Sequence, residues 1–504
     1  MNASEAYSEL IQLLKETETL ESVNSVLSWD EETYMPHKGA EHRAAQSGML
    51  AGMIHERFTA PRIGELLDIV AGSDLVADPE GDAAATVRET RREYDREKKL
   101  PVSLVEEMTR TRVLAHQAWV DARAKKEYAV FLPWLSKTID LQRQAANCYG
   151  YTGHIYNALL DAYEPGETTD NIARVFESLR GPLVELVGKI MDSGKKAPLE
   201  VLQRKFPVAA QERFARAAAT KIGFDFSAGR LDLTAHPFCA TIGPGDCRLT
   251  TRYNETDFSD GFFSVLHEAG HGLYEQGLPA EHFGTPLGEA VSLGIHESQS
   301  RMWENLVGRG REFWRYFLPK AKSAFRSSLK DVEMEQWLFA VNSVQPSLIR
   351  TESDETTYNL HVLLRFELEQ LMLTGDLAPA DIPAAWNERM EKYLGIKVPD
   401  DSQGALQDVH WSHGSIGYFP TYTLGNLAAA QFFERAKQDI PGLEEGFARG
   451  DFAPLLSWLR QNIHRHGRRY TAPQLIQRVT GKALSSEPLL RHLSSKATEL
   501  YGVV

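Results

Sequence analysis

His267 and His271 stand four residues apart in "SVLHEAGHGLYEQG" (264–277), with Glu268 directly after the first. On a helix, residues i and i+4 share one face, so both imidazoles can reach a single ion. Glu268, offset around the helix, is placed to face water beside that ion and to act as general base. Two neutral imidazoles leave a divalent zinc short of ligands, so a third protein ligand and an open position are required. Cobalt or manganese would suit two histidines and a carboxylate as well. The pattern alone is not decisive, since an H-E-x-x-H match arises by chance roughly a few times in a hundred chains of this size. Gly270 and Gly272 add something: each costs a helix about 1 kcal/mol against alanine, which points to close backbone approach there, although a packing reason explains them equally well.

The third ligand is sought downstream. The segment "LGEAVSLGIHESQSRMWENL" (287–306) reads as a helix offering Glu289, His296, Glu297 and Glu304. By spacing Glu297 is the best placed and Glu289 the weaker option.

Most of the chain that must position these residues reads as helix. Tyr7, Leu10, Ile11 and Leu14 follow the spacing of one helical face. The alternating charges of "ATVRETRREYDREKKL" (85–100) suit a solvated helix with i, i+4 pairs, and "HRHGRRY" (464–470) is likewise expected to be solvated. One stretch breaks this texture. In "RLDLTAHPFCATIGPGDCRLTTRYN" (230–254) alternating apolar residues flank a "GPGD" turn, predicting a hairpin or small antiparallel sheet beside the metal helix. An exposed strand edge there could hold an extended peptide through main-chain hydrogen bonds. The expected fold is mainly α: one large helical domain over residues 1–504, in two lobes, with that small antiparallel sheet.

Composition narrows the setting. The 504 residues carry a formal net charge of −14, which argues against a sequence-independent grip on nucleic acid or anionic membrane. No apolar run approaches the length that spans a bilayer, and the N-terminus lacks the features of a signal peptide. Three cysteines, Cys148, Cys239 and Cys247, are an odd number and few for this length. They favour a reducing compartment, so a cytoplasmic location is expected.

A glutamate on a second helix some 25 residues after the second histidine matches the ligand arrangement of the gluzincin metallopeptidases. Six ordered motifs then make a closer resemblance specific: "HPF" (236–238), "DCRLT" (246–250), "HEAGH" (267–271), "HESQS" (296–300), "IRTESDE" (349–355) and "GALQDVHW" (404–411). The chain resembles the thermostable carboxypeptidase family of the Taq type, over its whole length. One departure is Ser353, where the family usually carries alanine, a small-for-small change. The resemblance implies a zinc metallocarboxypeptidase with ligands His267, His271 and Glu297 and with Glu268 as base. It further implies a deep substrate groove, broad specificity, short peptides with a free C-terminus as substrates, and a homodimer.

An enzyme acting at a C-terminus must recognise a free carboxylate, and the planar fork of arginine suits this. Arg350 and Arg248 are the candidates within motifs that the resemblance assigns to substrate binding. Arg350 is favoured as the anchor, with Arg248 and His236 in support. The oxyanion formed on attack also needs hydrogen-bond donors. His413, Gly417, Tyr418 and Tyr422 resemble an H-x-x-x-G-Y-x-x-x-Y pattern of related gluzincin oligopeptidases, which makes Tyr422 and His413 the expected donors. Tyr418 and His410 are expected to contact substrate, and Asp408 to orient a neighbouring histidine.

Three competing functions remain at the level of sequence. An oligo-endopeptidase would share the metal centre without a carboxylate anchor. A catalytically silent peptide-binding protein would have no need of Glu268. A nucleophilic Cys247 is a distant third, because its strand context offers no evident activation.

Overall fold

The computed structural model describes residues 1–503. The chain forms two compact units, each assembled from three stretches. Met1–Lys98, Pro198–Val341 and Phe432–Lys482 make the first; Lys99–Ala197, Asn342–Gln431 and Ala483–Val504 make the second. Both are mainly helical, as the sequence pattern predicts.

The first unit opens with the long helix Ala3–Thr33, started by a reciprocal cap between Asn2 and Glu5. Leu10 and Leu14 are buried against Ile63, Leu66, Leu67 and Val70 as expected, with Ala6 completing the stripe and Tyr7 partly buried at its margin. The charged helix Asp82–Lys99 departs from the expected solvated face. Thr86, Thr90, Tyr94 and even Glu89 are buried, and Glu89 accepts hydrogen bonds from Arg88 at 2.8 Å and Arg92 at 3.2 Å. Segment 464–470 also turns inward: His464 is fully buried, and Arg468 bridges Glu93 and Glu289. A charge can line a buried face once it is partnered, and a hydropathy pattern does not register the partner.

Three strands lie in this unit: β1 (Gly229–Leu233), β2 (Cys239–Gly243) and β3 (Asp246–Thr251), in the order β1-β3-β2. β2 and β3 form the expected antiparallel hairpin, and Gly245 supplies the positive φ of 84° in its turn. β1 differs. It pairs parallel to β3, with Arg230 opposite Arg248, so the sheet is mixed and not wholly antiparallel. Side-chain alternation has period two in either direction and does not report which way a strand runs.

The histidine-bearing helix, Phe258–Glu275, follows directly. Asp257 caps it, accepting from the Ser259 amide at 2.8 Å. Phe258 and Phe262 root it in an aromatic core with Phe214 and Trp314. Its two central glycines are explained by close approach. A Cβ on Gly270 would lie 2.6 Å from Ser300 Cα, in the helix Leu293–Arg301. A Cβ on Gly272 would lie 2.6 Å from the Phe224 ring and 3.0 Å from Leu249 of β3. The helix is therefore pressed between a second helix and the sheet.

In the second unit the helix Tyr358–Thr374 is buried along most of its length. Asp354 serves its start by accepting from the Thr356 and Thr357 amides. Glu355, the last residue of the "IRTESDE" motif, meets His492 Nε2 and Lys496 Nζ, each at 2.7 Å. That carboxylate fastens the C-terminal helix Glu487–Tyr501 to the start of the buried one.

Candidate active site

In the first unit His267, His271 and Glu297 converge, their candidate ligand atoms all lying within 4.8 Å of one another. His267 and His271 come from adjacent turns of one helix, and Glu297 comes from Leu293–Arg301 packed against Gly270. Glu297 Oε2 lies 3.4 Å from His271 Nε2 and 3.7 Å from His267 Nε2. Glu289 stands apart, its carboxylate bonded to Arg468 at 2.6 Å.

A web of charges holds the triad. Arg301 Nε donates to Glu297 Oε1 at 2.6 Å, and Ser300 Oγ donates to Oε2 at 3.1 Å. Glu304 Oε2 lies 2.9 Å from His267 Nδ1, the position from which a carboxylate fixes the tautomer of a ligating imidazole. Arg301 and Arg309 reach Glu304 at 3.3 and 3.2 Å. Glu304 sits in a wide π-helical segment, Met302–Val307, that continues the Glu297 helix.

The electrostatics suit a cation. Burial opposes ionisation of Glu297, yet Arg301 and the two histidines hold its carboxyl well below the usual range. Glu304 is drawn down to about 2 against its burial, by Arg301 and His267. Burial lowers His271 to about 3, so its imidazole is neutral and free to ligate. Burial pushes the Glu268 carboxyl up to about 7, within reach of proton exchange near neutral pH. Two neutral-capable imidazoles and an ionised carboxylate on a small radius fit a divalent metal with N/O preference.

The remaining first-unit candidates lie elsewhere on the sheet. His236 is exposed in the loop between β1 and β2. Arg248 pairs with Asp246 through two bonds of 2.8 and 2.7 Å and stacks over Trp29 at 4.3 Å. Its neighbour Leu249 abuts Gly272, so strand alternation turns Arg248 to the sheet face away from the histidine helix.

In the second unit, Arg350 is 4% exposed and directs Nε and Nη2 to Asp408 Oδ1 at 3.1 and 2.9 Å. Its Nη1 donates to the Tyr358 hydroxyl at 2.8 Å. Arg365, fully buried, donates from Nε to the other oxygen of Asp408 at 2.6 Å and from Nη2 to Gln407 at 2.7 Å. Two guanidiniums thus share one carboxylate. Burial and these cations push His410 down to about 4, while Asp408 is held well below the carboxylate range despite its burial. Asp408 orients arginines more closely than a histidine: His410 Nδ1 is 3.9 Å away.

Tyr422 lies under Arg350, 4.8 Å from guanidinium carbon to ring centre, and packs on Tyr418, which packs on His410. His413 is not in that group. It is exposed and lies tilted against His116, with ring centres 5.0 Å apart. The residues that spacing did not single out are Glu304 as the histidine's partner, Arg301, Arg309 and Arg365. Arg301 stood four residues after Glu297, a helical pairing distance that could have flagged it.

Comparison with known proteins closes the question of kinship. Residues 9–497 match the family described as Carboxypeptidase Taq (M32) metallopeptidase. The chain is 48% identical over 511 residues to thermostable carboxypeptidase 1 of Thermus thermophilus, covering 100% of both chains. It is 36% identical to carboxypeptidase 1 of Bacillus subtilis, covering 98% of each. The structure of an M32 carboxypeptidase from Deinococcus radiodurans superposes with a TM-score of 0.96 at 43% identity, over 99% of this chain and 100% of that one. Matches of this extent in both sequence and fold leave one conclusion: the chain belongs to the carboxypeptidase Taq (M32) family of metallopeptidases, and is a peptide hydrolase of the metallocarboxypeptidase type.

Proposed function

We propose that this chain is a zinc carboxypeptidase that removes single residues from the C-termini of short peptides. The observation that carries this is the convergence of His267, His271 and Glu297 around one point, with Glu268 on the same helix. These three residues would hold the ion, which when bound acts as a Lewis acid toward water and the scissile carbonyl. Glu268 then accepts the proton of the attacking water and delivers it to the leaving amine. Cobalt or manganese would be held by the same donors.

Arg350 is the proposed reader of the substrate carboxylate. Three of its five N–H groups are used on Asp408 and Tyr358, which leaves two. Among the described residues, Asp408 is the only carboxylate bonded to either Arg350 or Arg365, so the cluster carries a positive charge that a C-terminal carboxylate would balance. The Tyr422 hydroxyl, beside Arg350, is the proposed donor to the oxyanion, and Tyr418 and His410 shape its surroundings. Arg248 and His236 have a weaker claim on substrate, and His413, exposed beside His116, has a weaker claim on the donor role.

Zinc content by elemental analysis, together with release of single amino acids from a free-acid peptide, tests the reading. An oligo-endopeptidase would cut internally and tolerate a blocked C-terminus. Three free cysteines support a reducing, cytoplasmic setting. Among the described residues no helix is long and apolar enough to cross a membrane. The family resemblance supports a homodimer, which light scattering of the purified protein checks.

A further inference from the structure

The two histidines are held by different means. His267 has the carboxylate of Glu304 at its Nδ1. His271 has nothing equivalent: its Nδ1 is buried and has no hydrogen-bond partner among the described residues. A ligating imidazole normally has its second ring nitrogen bonded, because that bond fixes tautomer and ring plane. Some other contact must set the plane of His271.

That contact is a ring. His296 lies face to face with His271, with ring centres 4.4 Å apart and planes 18° from parallel. His296 is itself tethered, its Nε2 lying 2.8 Å from Glu275 Oε1. The stack continues behind it. Tyr274 packs on His296 at 5.6 Å, and His464 packs on Tyr274 at 4.8 Å. His464 Nε2 meets Gln299 Oε1 at 3.0 Å, and a Cβ on Gly277 would lie 2.2 Å from His464 Nδ1, so the far end of the column is seated against backbone. Glu275 and Tyr274 belong to the histidine helix itself, while His296 and Gln299 belong to the Glu297 helix. The column therefore ties together the two helices that supply the ligands.

We propose that His296 is a positioning residue that orients His271 for the metal by stacking, in place of the hydrogen bond that His271 lacks. The proposal rests on the reading of His267, His271 and Glu297 as metal ligands. Edge-on contact with His267, at 4.9 Å and 84°, borders the ring on another side but leaves rotation about its own axis open. The parallel face of His296 restricts that rotation. The His296 ring is seated between His271 and Tyr274, and its face does the orienting.

The test is zinc affinity of the apo protein, measured by competition with a chromophoric chelator, for the parent, His296→Ala and His296→Phe. His296→Ala removes the face and is expected to weaken zinc by about tenfold to a hundredfold. His296→Phe keeps a flat ring and is expected to bind within about threefold of the parent, with the parent's cobalt visible spectrum retained. Parental affinity in His296→Ala overturns the proposal. Equal weakening in Ala and Phe also overturns it, since an imidazole hydrogen bond and not a stacked face would then be what matters. Should the alanine variant fail to fold, the phenylalanine variant decides: parental affinity and spectrum support stacking, and a tenfold loss overturns it. A parent that binds no zinc sinks the metal reading itself, an outcome distinct from failure of the stack alone.

Discussion

Glu304 Oε2 lies 2.9 Å from His267 Nδ1, and Arg301 and Arg309 hold that carboxylate from two sides. Arg301 and His267 hold the carboxylate ionised against its burial, and in the proposed site it would act on the metal through the imidazole. Glu304→Gln keeps the shape and removes the charge. Zinc affinity should fall by about tenfold to a hundredfold, and unfolding stability by about 3 kcal/mol, because two arginines lose a buried partner. Chelator competition and urea unfolding of the apo protein measure the two separately. Unchanged zinc affinity would remove Glu304 from the metal site.

Arg350→Met should lower kcat/KM for a free-acid peptide by about a hundredfold, expressed mainly in KM. Asp408 keeps Arg365, so folding should survive the change. Arg350→Lys should recover only part of the loss, since an ammonium cannot present a fork. Arg248→Met, by contrast, should leave KM nearly unaffected, because that side chain lies on the other face of the sheet. Steady-state kinetics with one peptide on all three variants decides between the arginines.

Helix approach at Gly270 gives a stability prediction with an internal control. Gly270→Ala drives a Cβ onto backbone of the Glu297 helix and should cost about 2 kcal/mol or more, with weaker metal binding. Gly188→Ala, in the helix Thr169–Asp192 with open space around it, should instead stabilise by about 0.5–1 kcal/mol. Thermal melts of both variants check the opposite signs.

Glu355 predicts a pH dependence. Burial opposes its charge, but Lys496 and His492 hold its carboxyl well below the ordinary value of 4.5. A depressed folded value stabilises the native state above the unfolded pKa, and that stability is lost as pH falls below about 4.5. Glu355→Gln should cost about 3 kcal/mol at neutral pH. The penalty should shrink in increasingly acid buffer. Urea midpoints of both proteins across this range test it, and curves that stay parallel would rule the linkage out.

The parts legible in the sequence were those written in local spacing. His267, Glu268 and His271 declare a helix face, and Gly270 and Gly272 announced the crowding that Ser300 and Leu249 supply. The hairpin was legible from its turn, but the parallel pairing of β1 was not, because alternation carries no direction. Arg365 and Asp408 lie 43 residues apart and meet only through tertiary packing. Glu304 reaches His267 from a π-helical segment, where the ordinary 3.6-residue period no longer states which face a residue occupies. The helix Asp82–Lys99 misled because its buried face is built partly of polar residues, with Glu89 satisfied by its own neighbours.

One incubation bears on the whole. A short peptide in free-acid and C-terminally amidated forms is exposed to the zinc-loaded protein and followed by mass spectrometry, with Glu268→Gln as the blank. Stepwise loss of single residues from the free acid alone, absent in the blank, is the predicted result. Internal cleavage of both forms would contradict Arg350 as the carboxylate anchor, and cleavage that persists in Glu268→Gln would contradict Glu268 as the general base.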